Sequence, residues 1–169
     1  MCIRDSPNIL HVFREYKNMI RTHVFIREVD PKDLPRVYVI EKLSFEKHAY
    51  PFEIFLVYYF LFRELFLVAE FMGHVIGYIM GSIEKRKGLR GHVLSIAVHP
   101  MYRGYGIGKK LMLELEKRFK ARSVSCVYLE VSVNNTIALN MYRKLGYTIR
   151  ARIRGYYGDS DAYIMEKTI

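Results

Sequence analysis

The apolar residues of this chain change their spacing along its length, and each spacing predicts an element. Residues 23–29 are β-branched and aromatic enough for a short strand, which Asp30-Pro31 closes with a helix cap and a first-turn proline. Leu34, Val37, Tyr38 and Ile40 then recur at helical spacing to about Phe45. A polar connection over residues 46–50 leads to Pro51 and the apolar run FEIFLVYYFLF. That run is shorter than the ~20 residues a membrane helix needs and carries Glu53, so it predicts a buried helix. Residues 65–71 and 75–84 flank Met72-Gly73-His74 as the arms of a hairpin, and residues 85–90 form a basic loop around Gly88. A strand over 92–98 ends at His99-Pro100. After a glycine-rich turn come a charged amphipathic helix (107–122), a strand (123–131), a helix (136–145) and a strand (147–156). Gly158-Asp159 then turns into a last strand (162–166). With no repeat or linker, this order predicts one domain of α/β (α+β) class around a mixed sheet.

At 169 residues the chain has the size of one domain, and it can bury enough surface to need neither disulfide nor metal. Hydrophobic residues make up 51% and charged residues 26%, which excludes disorder as the main state. Residues 1–17 have scattered charges and no apolar leader core, so residues 1–22 read as an N-terminal appendage and residues 23–169 as the domain. The opening Met1-Cys2-Ile3-Arg4-Asp5-Ser6 resembles translated sequencing-adapter sequence, which makes Met19 a candidate initiator. Cys2 and Cys126 supply neither a disulfide framework nor a four-ligand metal site, and a reducing cytoplasm fits them. Lysine and arginine outnumber aspartate and glutamate by 27 to 17, a net charge of +10 that asks for a polyanion without saying which.

The glycine-rich turn narrows that choice. Arg103-Gly104-Tyr105-Gly106-Ile107-Gly108-Lys109-Lys110 joins a predicted strand to a predicted helix. Glycines let backbone N–H groups approach an anion, and a helix N-terminus adds about half a positive charge, so a diphosphate is the natural guest. The turn lacks the Gly-Lys-Ser/Thr ending of a Walker loop and the acidic residue of a dinucleotide fingerprint. It matches Arg-x-x-Gly-x-Gly, and a bare strand–helix turn is the plain alternative.

With the strand Val93-Leu94-Ser95-Ile96-Ala97-Val98, the strand Tyr128-Leu129-Glu130-Val131, and Asn135 through Tyr142-Arg143-Lys144-Leu145-Gly146-Tyr147, the turn resembles the GCN5-related N-acetyltransferases, the GNAT superfamily. Gly91 to Val98, Leu129 to Asn135 and the hairpin Gly155 to Tyr163 make the chain similar to two branches of it. These are the archaeal N-terminal acetyltransferases and the ribosomal-protein-alanine N-acetyltransferases. The resemblance implies the GNAT fold, a mostly antiparallel sheet splayed at the cofactor site and flanked by about four helices. It implies acetyl-CoA as co-substrate, no metal, and direct transfer to protein N-termini in a ternary complex. Ribosomal proteins and ribosome contact fit the same likeness, with a cytoplasmic location, no membrane and no sequence-specific nucleic acid.

Residue roles carried over by the resemblance follow. The backbone of Ile96, Ala97 and Val98 would hold the acetyl and pantetheine arm. Arg103, Gly104, Tyr105, Gly106, Ile107 and Gly108 would hold the pyrophosphate, with Lys109 and Lys110 reaching further phosphate. Glu130 is the candidate base, acting through water and paired with His92. Strand alternation turns Glu130 to the face opposite Leu129 and Val131. Tyr142 is the candidate acid for the departing thiolate, and Asn135 contacts the cofactor arm or caps a helix. Glu46, Tyr50, Tyr156 and Tyr157 are candidates to clasp the substrate terminus, although the register around Glu46 departs from the archaeal form and these aromatics fit a core equally well. Two other readings remain: a lysine or small-amine acetyltransferase of this fold, and a basic ribosome- or RNA-associated module built on residues 85–90, 117–122 and 143–154.

Overall fold

The computed structural model describes residues 7–85 and 88–169. The adapter-like opening and Cys2 lie outside the described residues, as do Arg86 and Lys87 of the basic loop. In chain order the elements are α1 (Pro7–His23), β1 (Phe25–Glu28), α2 (Leu34–Phe45), α3 (Phe52–Phe62), β2 (Phe66–Phe71), β3 (His74–Lys85), β4 (Leu89–Val98), α4 (Ile107–Lys120), β5 (Cys126–Ser132), α5 (Thr136–Lys144), β6 (Thr148–Ile153) and β7 (Ala162–Thr168). The seven strands form one sheet in the order β1-β2-β3-β4-β5-β7-β6. Only the β4–β5 pair is parallel, so the sheet is mixed and mostly antiparallel.

Among the described residues there are five α-helices, one more than the resemblance implied. The additional one is α1. Its last turn belongs to the domain, because Ile20 is fully buried in the main core with Met19 packed against it. The Lys110 ammonium donates to the Arg21 carbonyl at the end of this helix. His23 is therefore helical, where the sequence predicted strand, and the first strand starts at Phe25. Ile20 and Val24 stand one turn apart and face the same core, which carries the helix past the expected boundary.

Two apolar layers sandwich the sheet. On one face α4, α5 and the end of α1 cover Leu67, Ile79, Val93, Val127 and Leu129. On the other, α2 and α3 cover Phe66, Val68, Tyr78 and Met80, with Phe55 of α3 fully buried. The apolar run of α3 is buried along that side alone: Phe60 is 76% and Leu61 67% exposed. Helix α4 comes close because adjacent strands lack side chains beneath it. A Cβ at Gly81 or Gly91 would sit 2.8 Å from the Phe119 ring.

The site is made by a fault in the sheet. Met80 pairs with Ser95 and Gly81 with Val93, so Leu94 is an extra residue in β4, a bulge that bends and twists the strand. Parallel pairing with β5 stops at Val93 and Leu129, next to this bulge. Beyond it β4 stays with β3, pairing Ala97 with Tyr78, while β5 stays with β7, pairing Glu130 with Ile164. The two central strands part, and Glu130 is the first residue of β5 past the split.

Candidate active site

The open edge of β4 carries Ile96, Ala97 and Val98, whose β5-side backbone groups find no strand partner. The glycine turn follows directly. Gly104 and Gly106 have φ of 82° and 81°, the left-handed region that glycine occupies without strain, and a Cβ at either would meet empty space. Gly106 caps α4 with no side-chain bond, so the first N–H groups of that helix point outward uncapped. The Arg103 side chain is committed within the protein: Nε donates to the Val98 carbonyl at 2.9 Å and Nη2 to Ser44 Oγ at 3.0 Å. It braces the turn against β4 and α2. Lys110 is occupied at the end of α1, and Gly108 meets α5, where a Cβ would lie 3.3 Å from Met141 Sδ.

At the split itself His92 of β4 and Glu130 of β5 form a pair, Nε2 to Oε2 at 2.7 Å, with both side chains mostly buried. Leu129 and Val131 face the opposite core, so strand alternation alone directs Glu130 into the gap. The His92 ring lies flat on Tyr128 and the Arg90 guanidinium also contacts that ring. Burial and then Glu84 raise the pKa of the Tyr128 hydroxyl, while Arg90 is ion-paired with Glu166. None of Glu84, Arg90, Tyr128 and Glu166 was a candidate site residue in the sequence, where Tyr128 belongs to a motif strand and Arg90 to the basic loop. Their alternation along β3, β4, β5 and β7 puts them on one face, but only the strand order brings them together.

Two loops approach this pair. The α2–α3 loop carries Tyr50, and the β6–β7 loop carries Tyr156 and Tyr157. The Tyr50 hydroxyl is pushed up in pKa by burial first and then by Tyr156, Tyr157, Glu41 and Glu130 nearby. Burial likewise pushes Tyr157 up to about 12 and raises Tyr156, with Glu130 contributing to both. These tyrosine hydroxyls are therefore held protonated, with the Glu130 carboxylate near enough to contribute to each. Tyr58 of α3, unnoticed in the sequence, is raised in pKa by burial first, with Glu84 and Glu130 contributing. The loops are fastened to each other where Lys47 and His48 meet Asp159, His48 Nε2 at 3.2 Å, and His48 packs edge-on against Tyr157. Within the second loop Asp161 accepts from Gly155 N at 2.8 Å and pairs with Arg152 at 2.7 Å. Glu46 is exposed at the end of α2 with φ 48°.

The remaining sequence candidates flank the gap from α5. Asn135 caps that helix, Oδ1 accepting from Ala138 N at 3.1 Å. Tyr142 is 5% exposed and edge-on to Tyr147 at 5.9 Å; burial pushes its hydroxyl well up, and Tyr157 adds to this. Sequence reasoning also missed Glu41, 1% exposed on α2. Its Oε1 accepts from Tyr50 N at 2.8 Å and its Oε2 from the Tyr78 hydroxyl, which lies 2.8 Å from Ser95 Oγ. This buried carboxyl ties the Tyr50 loop to β3 and β4; its one sequence signal is a glutamate beside Ile40 on the apolar face of α2.

Such a split sheet beside an uncapped helix start is the framework of an acetyltransferase. The chain belongs to the acetyltransferase (GNAT) family, whose model matches residues 34–147, and it is an acetyl-CoA-dependent acyltransferase. It is 38% identical over 151 residues to the N-alpha-acetyltransferase of Sulfurisphaera tokodaii, covering 83% of this chain and 90% of the relative. To the catalytic subunit NAA20 of the N-terminal acetyltransferase B complex of Arabidopsis thaliana it is 36% identical over 148 residues, covering 85% of this chain and 84% of that one. The crystal structure of Ard1 from Thermoplasma volcanium superposes with a TM-score of 0.81 at 32% identity, covering 87% of this chain and 98% of that one.

Proposed function

We propose that the protein transfers an acetyl group from acetyl-CoA to the α-amino group of protein N-termini, directly and in a ternary complex. The observation that carries this reading is the His92–Glu130 pair at the sheet split, beneath two fastened loops that bring tyrosine hydroxyls around it. The names of the archaeal and plant relatives support the α-amino choice. So does the chemistry of the amine. Near pH 7.5 about a third of α-amino groups are neutral, against roughly 0.1% of lysine side chains. One carboxylate suffices for the former.

The residues fit the donor. A diphosphate suits the uncapped start of α4 and the left-handed glycines at 104 and 106, and an amide-bearing arm suits the open edge of Ile96 to Val98. When bound, acetyl-CoA supplies the activated acyl group as a thioester. Glu130, oriented by His92, takes the proton lost from the amine as the N–C bond forms, directly or through one water. Tyr142, its hydroxyl kept protonated by burial, gives a proton to the sulfur as the C–S bond breaks. Ribosomal proteins as targets, a ribosome contact through the basic surface and a cytoplasmic location belong to the same reading. No described helix is long and apolar enough to cross a membrane.

Mass spectrometry of peptides incubated with acetyl-CoA tests the substrate class. The label is expected on the α-amine; a label confined to lysine side chains or small amines overturns the reading. Tyr142→Phe is expected to lower kcat by about 10–100-fold, short of the full range for acid–base groups because a thiolate leaves readily. Its Kd for CoA should stay within about twofold of the parent by calorimetry, and an equal loss in both would assign Tyr142 to packing.

A further inference from the structure

We infer that Tyr128 is a positioning residue for the His92–Glu130 pair, an inference that rests on the role proposed above for that pair. The His92 and Tyr128 rings are stacked, centroids 4.5 Å apart and planes 5° from parallel. The two residues are register partners on β4 and β5, one step before the pairing ends. The stack therefore stands at the edge of the gap, where β4 and β5 part.

An imidazole turns about a soft, roughly two-fold torsion, so backbone position alone does not decide which ring edge meets Glu130. A ring held flat on a neighbour loses that freedom. Tyr128 is itself held by Arg90, whose Cζ lies 4.7 Å from its ring centroid, and its hydroxyl faces Glu84, which raises its pKa after burial does. Arg90 is anchored in turn on Glu166 of β7. The contacts thus run from β3 and β7 through Tyr128 to the imidazole, and they leave Nε2 2.7 Å from Glu130 Oε2. The ring so held presents Nε2 rather than Nδ1 to the carboxylate, and a hydrogen bond donated from Nε2 fixes one tautomer. Strand β5 otherwise needs nothing so large here, since its core side is filled by Val127, Leu129 and Val131. The aromatic ring faces the site.

The test compares Tyr128→Phe, which keeps the ring, with Tyr128→Leu, which removes it, in the full chain. Stacked aromatic pairs are strong enough to bias a two-state ratio by roughly tenfold. Tyr128→Leu is expected to lower kcat about tenfold with KM for both substrates within about twofold. In the substrate-free protein its His92 ring 15N signals should move toward values averaged over both tautomers. Tyr128→Phe should retain kcat within about twofold and the parental His92 signals. Parental kcat and ring signals in Tyr128→Leu, or an equal loss in Tyr128→Phe, would overturn the inference. The ring signals need no turnover, so they decide the role of Tyr128 even if activity assays of Glu130 variants overturn the role of the pair.

Discussion

Replacing Glu130 with glutamine should lower kcat at neutral pH by about 100–1000-fold, the contribution expected of a positioned general base. The substitution keeps the shape and an acceptor for His92 Nε2–H, so the stack and the sheet split should survive. The deficit should be smallest above about pH 8, where the α-amine is mostly neutral in solution and hydroxide increasingly accepts the proton lost as the N–C bond forms. The measurement is a pH–kcat profile for parent and variant with one peptide and saturating acetyl-CoA. A variant matching the parent near pH 7 would remove Glu130 from the mechanism. A deficit constant across pH would assign it to substrate binding instead.

Glu41→Ala should be strongly destabilising. It leaves the Tyr50 N–H without its acceptor, takes one partner from the Tyr78 hydroxyl and opens a cavity under α2. Unmet buried polar groups and lost volume together cost about 3 kcal/mol, which in a chain of this size lowers Tm by about 6–12 °C. Glu41→Gln keeps an acceptor and should lose much less. Burial pushes the Glu41 carboxyl above the ordinary carboxylate range, against the hydrogen bonds from Tyr78, Tyr50 and Ser95. The folded state therefore holds this proton more tightly than the unfolded chain. The associated stabilisation is fully present below the unfolded pKa and is lost as pH rises through the folded one. Thermal melts at several pH values should show that slope in the parent and a flatter one in Glu41→Gln; equal slopes would mean that Glu41 does not titrate with folding.

How much of this was legible in the sequence depends on the range of the forces involved. Strand alternation turns Glu130 away from Leu129 and Val131, and the positive-φ glycines at 104 and 106 announce an anion-ready turn before α4; both are local properties. The α2, α3, α4 and α5 helices and the hairpin around Gly73 were legible for the same reason, since 3.6- and 2-residue periods need no distant partner. The first strand was misplaced by two residues because Ile20 and Val24 obey a helical period that its β-branched neighbours mask. The apolar run of α3 suggested burial all round, yet only tertiary packing could say that one side faces solvent.

What the sequence by itself determined is the set of elements, the glycine turn and the face on which Glu130 stands. Each follows from backbone sterics and side-chain direction within a few residues. The tertiary structure decided the bulge at Leu94 and the end of parallel pairing at Val93 and Leu129, which open the gap. It also decided the convergence of Glu84, Arg90, Tyr128 and Glu166 on His92, and the burial of Glu41 beneath the Tyr50 loop. Those contacts join residues tens of positions apart, and they exist only because the order of strands across the sheet sets which side chains become neighbours.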